Sequence, residues 1–197
     1  MLALALLLVA APSLDKGDVI VTTRAFPDSP IPEATVKAVV SAPPELVWKI
    51  VSDCANYKDT MPSIASSVQV KSEKPSAADG DTAVEVKLCR VVASLPIPFP
   101  NLTSVTRGVH LVDPGKRWER KWKLVEGDYL KNEGSWIVEP YAGGSKSLVT
   151  YIIEAQPKIA LPDWLVASAE QSKLPDMMKN IREKAAARLA QAPAPTP

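Results

Sequence analysis

The sequence predicts an α+β fold in which a curved antiparallel sheet wraps around a long carboxyl-terminal helix. Three observations carry this. Five segments between residues 81 and 155 alternate apolar and polar side chains and are parted by turn signals. A strand over 34–40 leads directly into an apolar helical pattern over 43–52. The stretch 162–190 then keeps one apolar face at helical spacing. An antiparallel sheet needs one face covered, and the last helix is the obvious cover, with the short early helices at one end.

The strand over 34–40 is followed by Ser41-Ala-Pro-Pro-Glu45. Proline in the first helical turn and an acid near its positive dipole end start a helix over 43–52. Leu46, Val47, Ile50 and Val51 recur at helical spacing, so this helix buries one face. Tyr57, Met61 and Ile64 continue the apolar surface through an irregular or short helical segment broken by Pro62. In 81–92, Val84, Val86, Leu88 and Val92 point one way, opposed by Glu85 and Lys87. The run Ser94-Leu-Pro-Ile-Pro-Phe-Pro100 cannot serve a central strand, because proline donates no ladder hydrogen bond. It is expected as an apolar loop at a cavity rim or a sheet edge. Strands over 103–112, 117–125, 129–139 and 147–155 follow, separated by Asp113-Pro-Gly115, Glu126-Gly-Asp128 and Tyr141-Ala-Gly-Gly144. Near the end, Leu161, Trp164, Leu165, Ser168, Leu174, Met178, Ile181, Ala185 and Leu189 share a helical face, which Pro175 is expected to kink or restart.

Composition narrows the function. The chain has 197 residues, 46% of them apolar, which suits one domain with a real core, read here as 16–191. Nineteen prolines are about twice the usual share and eight glycines are fewer than usual, which excludes collagen-like and glycine-linker sequences. A net charge of +1 gives no overall field for a phosphate backbone, so no nucleic-acid partner is expected. Two cysteines and one histidine are too few for a zinc site without carboxylates, and no metal is expected. Met1 and the apolar residues that follow it form a run over 1–11, too short to span a bilayer and followed by small residues and proline. Residues 1–13 are read as a secretory leader, which implies a secreted or periplasmic protein; the alternative is a short buried helix at a misassigned start. Residues 192–197, rich in proline, are read as a disordered tail.

A curved sheet gripping a helix leaves a pocket. Its candidate lining is Val86, Leu88, Val105, Val109, Trp118, Trp122, Trp136, Val149, Tyr151 and Ile153, facing Trp164, Leu174, Met177 and Met178. For any one of these the alternative is ordinary core packing. Three arginines interrupt the apolar alternation on consecutive strands: Arg90 shares parity with Val86 and Leu88, Arg107 with Val105 and Val109, and Arg120 with Trp118 and Trp122. An inward guanidinium stays charged and needs a carboxylate, a wet cavity or an anionic ligand group. The expectation is that at least one of them reads the polar head of an otherwise apolar ligand; the alternatives are outward rotation by a bulge, or an internal partner such as Asp53.

No phosphate-loop, dinucleotide, zinc-protease, C-x-x-C or G-x-S-x-G motif occurs. His110 is the only histidine, and strand parity opposite Val109 and Leu111 turns it toward solvent, so no catalytic residue is nominated. Cys54 and Cys89 have the chemistry to pair in an oxidising compartment, but their spacing does not decide it. Asn101-Leu-Thr103 matches a glycosylation sequon, meaningful only in a eukaryotic secretory pathway. Lys116, Arg117, Lys121 and Lys123 are read as a solvated strand face, with some capacity to touch an anionic membrane.

One further pattern lies in the order of short motifs. Ala42-Pro-Pro-Glu-Leu-Val-Trp-Lys-Ile-Val-Ser-Asp53, Asn56-Tyr57 and Met61-Pro62 resemble the opening strand and helices of START-like proteins, the helix-grip superfamily of lipid-binding proteins, polyketide cyclases and coenzyme Q-binding proteins. Gly134-Ser-Trp136 before Glu139-Pro140, Leu148-Val-Thr-Tyr151, Leu161-Pro-Asp-Trp164 and Leu174-Pro175-Asp-Met-Met178 resemble the later strands and closing helix of bacterial members. The resemblance covers about 16–190. It implies a helix-grip fold with a tunnel for a lipid, sterol, isoprenoid or polyketide, no cofactor, and no universal catalytic residue. The expected function is to bind, and to transfer, a hydrophobic ligand as a monomer with transient membrane contact. The ligand-binding candidates are Arg90, Arg107, Arg120, Trp118, Trp122, Trp136, Tyr151, Trp164, Leu174 and Met178, and the gate candidates are 96–100 and 159–162. A cyclase or hydratase on the same fold, and a sealed domain acting through its surface, are the rival readings.

Overall fold

In a computed structural model, residues 12–27 and 29–191 are described; the apolar run 1–11, expected as part of a leader, and residues 192–197, expected as a tail, lie outside them. Eight strands form one antiparallel sheet: β1 (Ile20–Phe26), β2 (Ser29–Val40), β3 (Ile64–Glu73), β4 (Ala83–Ala93), β5 (Leu102–Asp113), β6 (Arg117–Gly127), β7 (Tyr129–Tyr141) and β8 (Lys146–Pro157). The spatial order is β1-β2-β8-β7-β6-β5-β4-β3. The five strands expected between 81 and 155 are therefore neighbours in sequence and in space, as tight hairpins require. The first expected strand is present as β2, which begins five residues earlier at Ser29 and pairs with β8. Two strands, β1 and β3, were not expected, and both lie at the sheet's margins.

The inner face is identified by what crosses it. The sequence of the helix α1 (Pro44–Val51) places proline at its start and Glu45 in its first turn, and it buries Val47, Ile50 and Val51 as the spacing predicted. A 3-10 turn, Cys54–Asn56, and the one-turn helix α2 (Tyr57–Thr60) follow. A disulfide joins Cys54 in that turn to Cys89 in the middle of β4. Cys89 therefore faces the helices, and its cross-strand partners fix the parity of the rest of the sheet. The core consists of Val36, Ala38 and Val40 of β2, Trp118 and Trp122 of β6, Trp136 and Val138 of β7, and Val149 and Tyr151 of β8, packed on α1 and the last helix.

That last helix runs without a break from Asp163 to Gln191, in three parts: α3 (Asp163–Ser168), a π-helical segment Ala169–Lys173, and α4 (Leu174–Gln191). The expected disturbance at Pro175 takes this π form. Proline lacks the N–H that would bond four residues back, and its ring crowds the carbonyl there; one extra residue in the preceding turn relieves both. The two halves differ in burial. Met177, Met178, Ile181 and Ala185 of α4 are buried in the core, whereas α3 and the π segment bury no residue completely. Side chains also tie α4 down, with Arg182 Nε donating to the Val39 carbonyl at 3.0 Å and Asn180 Nδ2 to the Thr60 carbonyl at 3.3 Å.

Candidate functional site

Where the helix is not buried, a cavity lies beneath it. Its volume is about 680 Å³, within the range of small-molecule pockets. The sheet supplies one wall from strand ends gathered at one end of the molecule: Ala34 of β2, Ala93 of β4, Leu102 of β5, Tyr129 of β7, and Tyr151, Ile153 and Ala155 of β8. The opposite wall is Trp164, Leu165, Ala169 and Leu174 from α3, the π segment and the start of α4. Leu95 and Pro96 close one side, so the proline-rich loop is at a cavity rim, and Leu161 ahead of α3 closes another. The wall is dominated by apolar side chains; its polar members are Tyr129 and Tyr151, Ser63, Ser94 and Ser168, and, from the π segment, Glu170 and Lys173. Burial, then the Asp128 charge, pushes Tyr129 up to about 12, and burial also raises Tyr151, so both hydroxyls keep their protons.

Behind Tyr151 comes an aromatic layer. The Trp122 ring stacks on Tyr151 with centroids 5.7 Å apart, and Trp136 tilts against it at 4.3 Å. Trp122 lies across Gly134, where an added Cβ would come within 2.7 Å of the indole and 2.0 Å of the Ile152 carbonyl oxygen. The β6–β7 ladder ends at that pair, Trp122 opposite Gly134, although the hairpin turn is five residues further on.

Two residues back along β6, and so on the same face, is Arg120, only 2% exposed. Its guanidinium covers Gly108 of β5, where a Cβ would come within 2.8 Å of three of its atoms, and lies 5.4 Å from the Trp122 ring and 5.8 Å from the Tyr57 ring. Opposite it in the ladder is His110, 3% exposed and edge-on to Trp48 at 5.2 Å. Burial first, then the charges of Arg120 and Lys87, lowers the His110 pKa to about 3. The unfolded chain therefore takes up this proton before the folded one does. Stability is complete above about pH 6.5 and falls as the pH drops toward 3, by about 2 kcal/mol at pH 5. Urea midpoints between pH 7.5 and 5 should show this loss, and His110→Phe should remove that part of the slope.

These positions correct several expectations. Tyr151, Trp164 and Leu174 line the cavity. Trp122 and Trp136 stand behind it, and Trp118 and Met178 lie in solid core. Arg120 points inward. Arg90 does not: it is exposed, and it pairs across the ladder with Val105 on the outer face. Arg107 is on the same outer face, where Asp79 accepts from Nη1 and Nη2 at 2.8 and 3.0 Å and is held well below the usual carboxylate range by those bonds. Val86, Leu88, Val105 and Val109 share that outer parity, while Lys87, Cys89, Gly108 and His110 face inward. The apolar alternation of β4 and β5 thus lies on the outer face, where Asp79 of the turn Ala77–Asp79 is tied to Arg107. His110, expected in solvent, is inside for the same reason. Val84, expected to point with Val86, is 57% exposed beside a register shift between Ala83 and Glu85.

The sequence reading missed Leu102, Tyr129, Ala155 and Leu165 as lining. Strand-face parity does not reveal the first three, because what unites them is position at strand ends on one end of the sheet, whereas Leu165 is on α3; the apolar residues flanking the turns at 93–102, 127–129 and 155–161 were the available signal.

The comparisons with known proteins agree with this architecture. The chain is similar to a STAR-related lipid transfer protein from Xanthomonas axonopodis, 21% identical over 85% of this chain and 93% of that one, with a TM-score of 0.67. Human STARD10 matches at 14% identity over 93% of this chain and 74% of that one, TM-score 0.70. Human StAR-related lipid transfer protein 5 matches at 16% identity over 88% and 84%, TM-score 0.67. At these identities the likeness is one of fold. No curated protein matches the sequence significantly. The family model described as polyketide cyclase/dehydrase and lipid transport matches residues 40–182, which is most of the chain from the end of β2 into α4, and the protein therefore belongs to that family, built on the helix-grip fold.

Proposed function

We propose that this protein is a carrier that takes one hydrophobic molecule, a lipid, sterol, isoprenoid or polyketide, into the end cavity and exchanges it at a membrane surface. The observation that carries this reading is the apolar cavity of about 680 Å³ under the one stretch of the last helix that buries nothing completely. Each buried methylene contributes about 0.8 kcal/mol, so an acyl chain of a dozen supplies about 10 kcal/mol before the losses of association. Opening needs only α3 and the π segment to move, because α4 holds its own place in the core; segments with few buried contacts open locally at low free energy. The mouth is apolar outside as well as inside. Ile97, next to Pro96 of the rim, is 97% exposed, and Trp164 is 59% exposed. Aromatic and branched apolar side chains of this kind favour the membrane interface. The buried Cys54–Cys89 disulfide supports an oxidising compartment, in keeping with a secreted or periplasmic location.

The test is native mass spectrometry of the purified protein followed by organic extraction. A stoichiometric small molecule that is retained by the wild type and lost, at least tenfold, from Ala155→Trp, which fills the cavity, is the expected result. Ile97→Asp should keep the bound molecule and slow its transfer between phosphatidylcholine vesicles about tenfold. A protein that is empty and accepts neither oleic acid nor oleyl alcohol would overturn the carrier reading.

A further inference from the structure

Arg120 is a buried charge without a counter-ion. Among the described residues no carboxylate lies within ion-pair distance of it; its one hydrogen bond runs from Nη2 to Cys89 Sγ at 3.5 Å, a weak acceptor, and its Nε, fully enclosed, has none. A guanidinium does not escape this by losing its proton. Apolar replacements of similar volume are commonly more stable than a buried charge left unpaired, so the residue is poorly explained as packing. The neighbouring His110 repeats the pattern. Its Nε2 is buried and unpartnered, and its Nδ1 faces a Glu85 carboxylate oxygen at 3.5 Å.

Arg120 lies just behind the cavity wall. The cavity is lined by Tyr151, Tyr151 stacks on Trp122, and Trp122 is the ring 5.4 Å from the Arg120 guanidinium, so one aromatic layer separates the cavity from the buried charge. That layer stands where the β6–β7 ladder ends. Trp122 ends the β6–β7 ladder, its indole is held by a single hydrogen bond to Asn132 Oδ1 at 3.1 Å, and it also borders a groove of about 450 Å³ on the outer face.

Resting on the carrier reading, we infer that the ligand is a single-chain or polycyclic amphiphile with a carboxylate head, which passes Trp122 to pair with Arg120 while its apolar body fills the end cavity. A carboxylate is favoured over a phosphate by the chemistry of the slot. One fixed positive charge matches one negative charge, and a planar anion suits a guanidinium held between the rings of Tyr57 and Trp122 with its free donors at its edge.

Oleic acid and oleyl alcohol, which share a chain and differ at the head, test this directly in competition measured by native mass spectrometry. The wild type should bind the acid at least tenfold more tightly than the alcohol. Arg120→Met should bring that ratio to about one, whereas Arg107→Met, on the outer face, should keep it. The unliganded Arg120→Met protein should also melt no lower than the wild type, which a residue serving only structure would not allow. Equal affinity of the wild type for acid and alcohol, or an acid preference that survives in Arg120→Met, would overturn the inference and leave the carrier reading standing. Binding of neither probe would remove both. If Arg120→Met does not fold, Arg120→Gln takes its place and should likewise bring the ratio to about one.

Discussion

Trp136→Ala should lower stability by about 3–5 kcal/mol, read as a fall in the urea midpoint at unchanged slope. The indole is 1% exposed at the centre of β7, with Arg120 and Tyr151 as its cross-strand neighbours and the Tyr151 ring 4.3 Å away. Removing it leaves a void that the sheet cannot close, since strands on both sides hold their spacing through the ladder. The damage reaches the cavity as well, because Tyr151 is at once the partner of Trp136 and part of the cavity wall. The variant should therefore lose affinity for a hydrophobic ligand even at temperatures where it stays folded. An unchanged midpoint would mean that the aromatic layer is not the solid support described above.

The second large effect is redox. The Cys54–Cys89 bond closes a loop with a sequence separation of 35, and loop-closure entropy assigns such a crosslink about 3–4 kcal/mol. Reduction, or the paired substitution Cys54→Ala with Cys89→Ala, should lower the melting temperature by on the order of 10 °C. The crosslink joins the helical end of the molecule to the middle of β4, and Cys89 Sγ is also the only hydrogen-bond acceptor that Arg120 has among the described residues. Melting with and without reductant, compared with the double variant, separates the crosslink from general thiol effects: reductant should shift the wild type and leave the double variant unmoved.

The sequence made the meander legible because alternation and turn chemistry agree there. Asp113-Pro-Gly115 and Glu126-Gly-Asp128 stand between strands whose observed limits differ from expectation by two residues at most. The helix-grip architecture followed from these strands together with the long final helix. The marginal strands did not show themselves. β3 exposes Val68 and Val70, at 51% and 54%, and carries two register shifts, so its pattern is neither apolar-in nor regular. β1 pairs on one side only, which leaves its composition little constrained. The site was half legible for a related reason. Parity along β6 to β8 was right because one face of those strands carries the tryptophans, the largest side chains available to a core. On β4 and β5 both faces carry apolar residues, and parity alone favoured the face with more valines. What selects the true inner face is Gly108, which admits the Arg120 guanidinium, and Cys89, which bonds to Cys54; neither looks apolar enough to mark a core.

The sheet's strand order also has a consequence in time. β2 is flanked by β1 and β8, and the β2–β8 partners, from Ala34 with Ile153 to Val40 with Ser147, are more than 100 positions apart in the chain. The hairpin made first is thus among the last pieces to be completed, waiting with one unpaired edge while everything between is synthesised. Pairings of such long range are slow to form, because loop closure must be met before any contact rewards it. The five-stranded hairpin series from β4 to β8 has no such delay. Folding should begin there and finish when β8 captures β2, so the β2–β8 seam, rather than any hairpin, sets how long the young chain remains open to wrong partners.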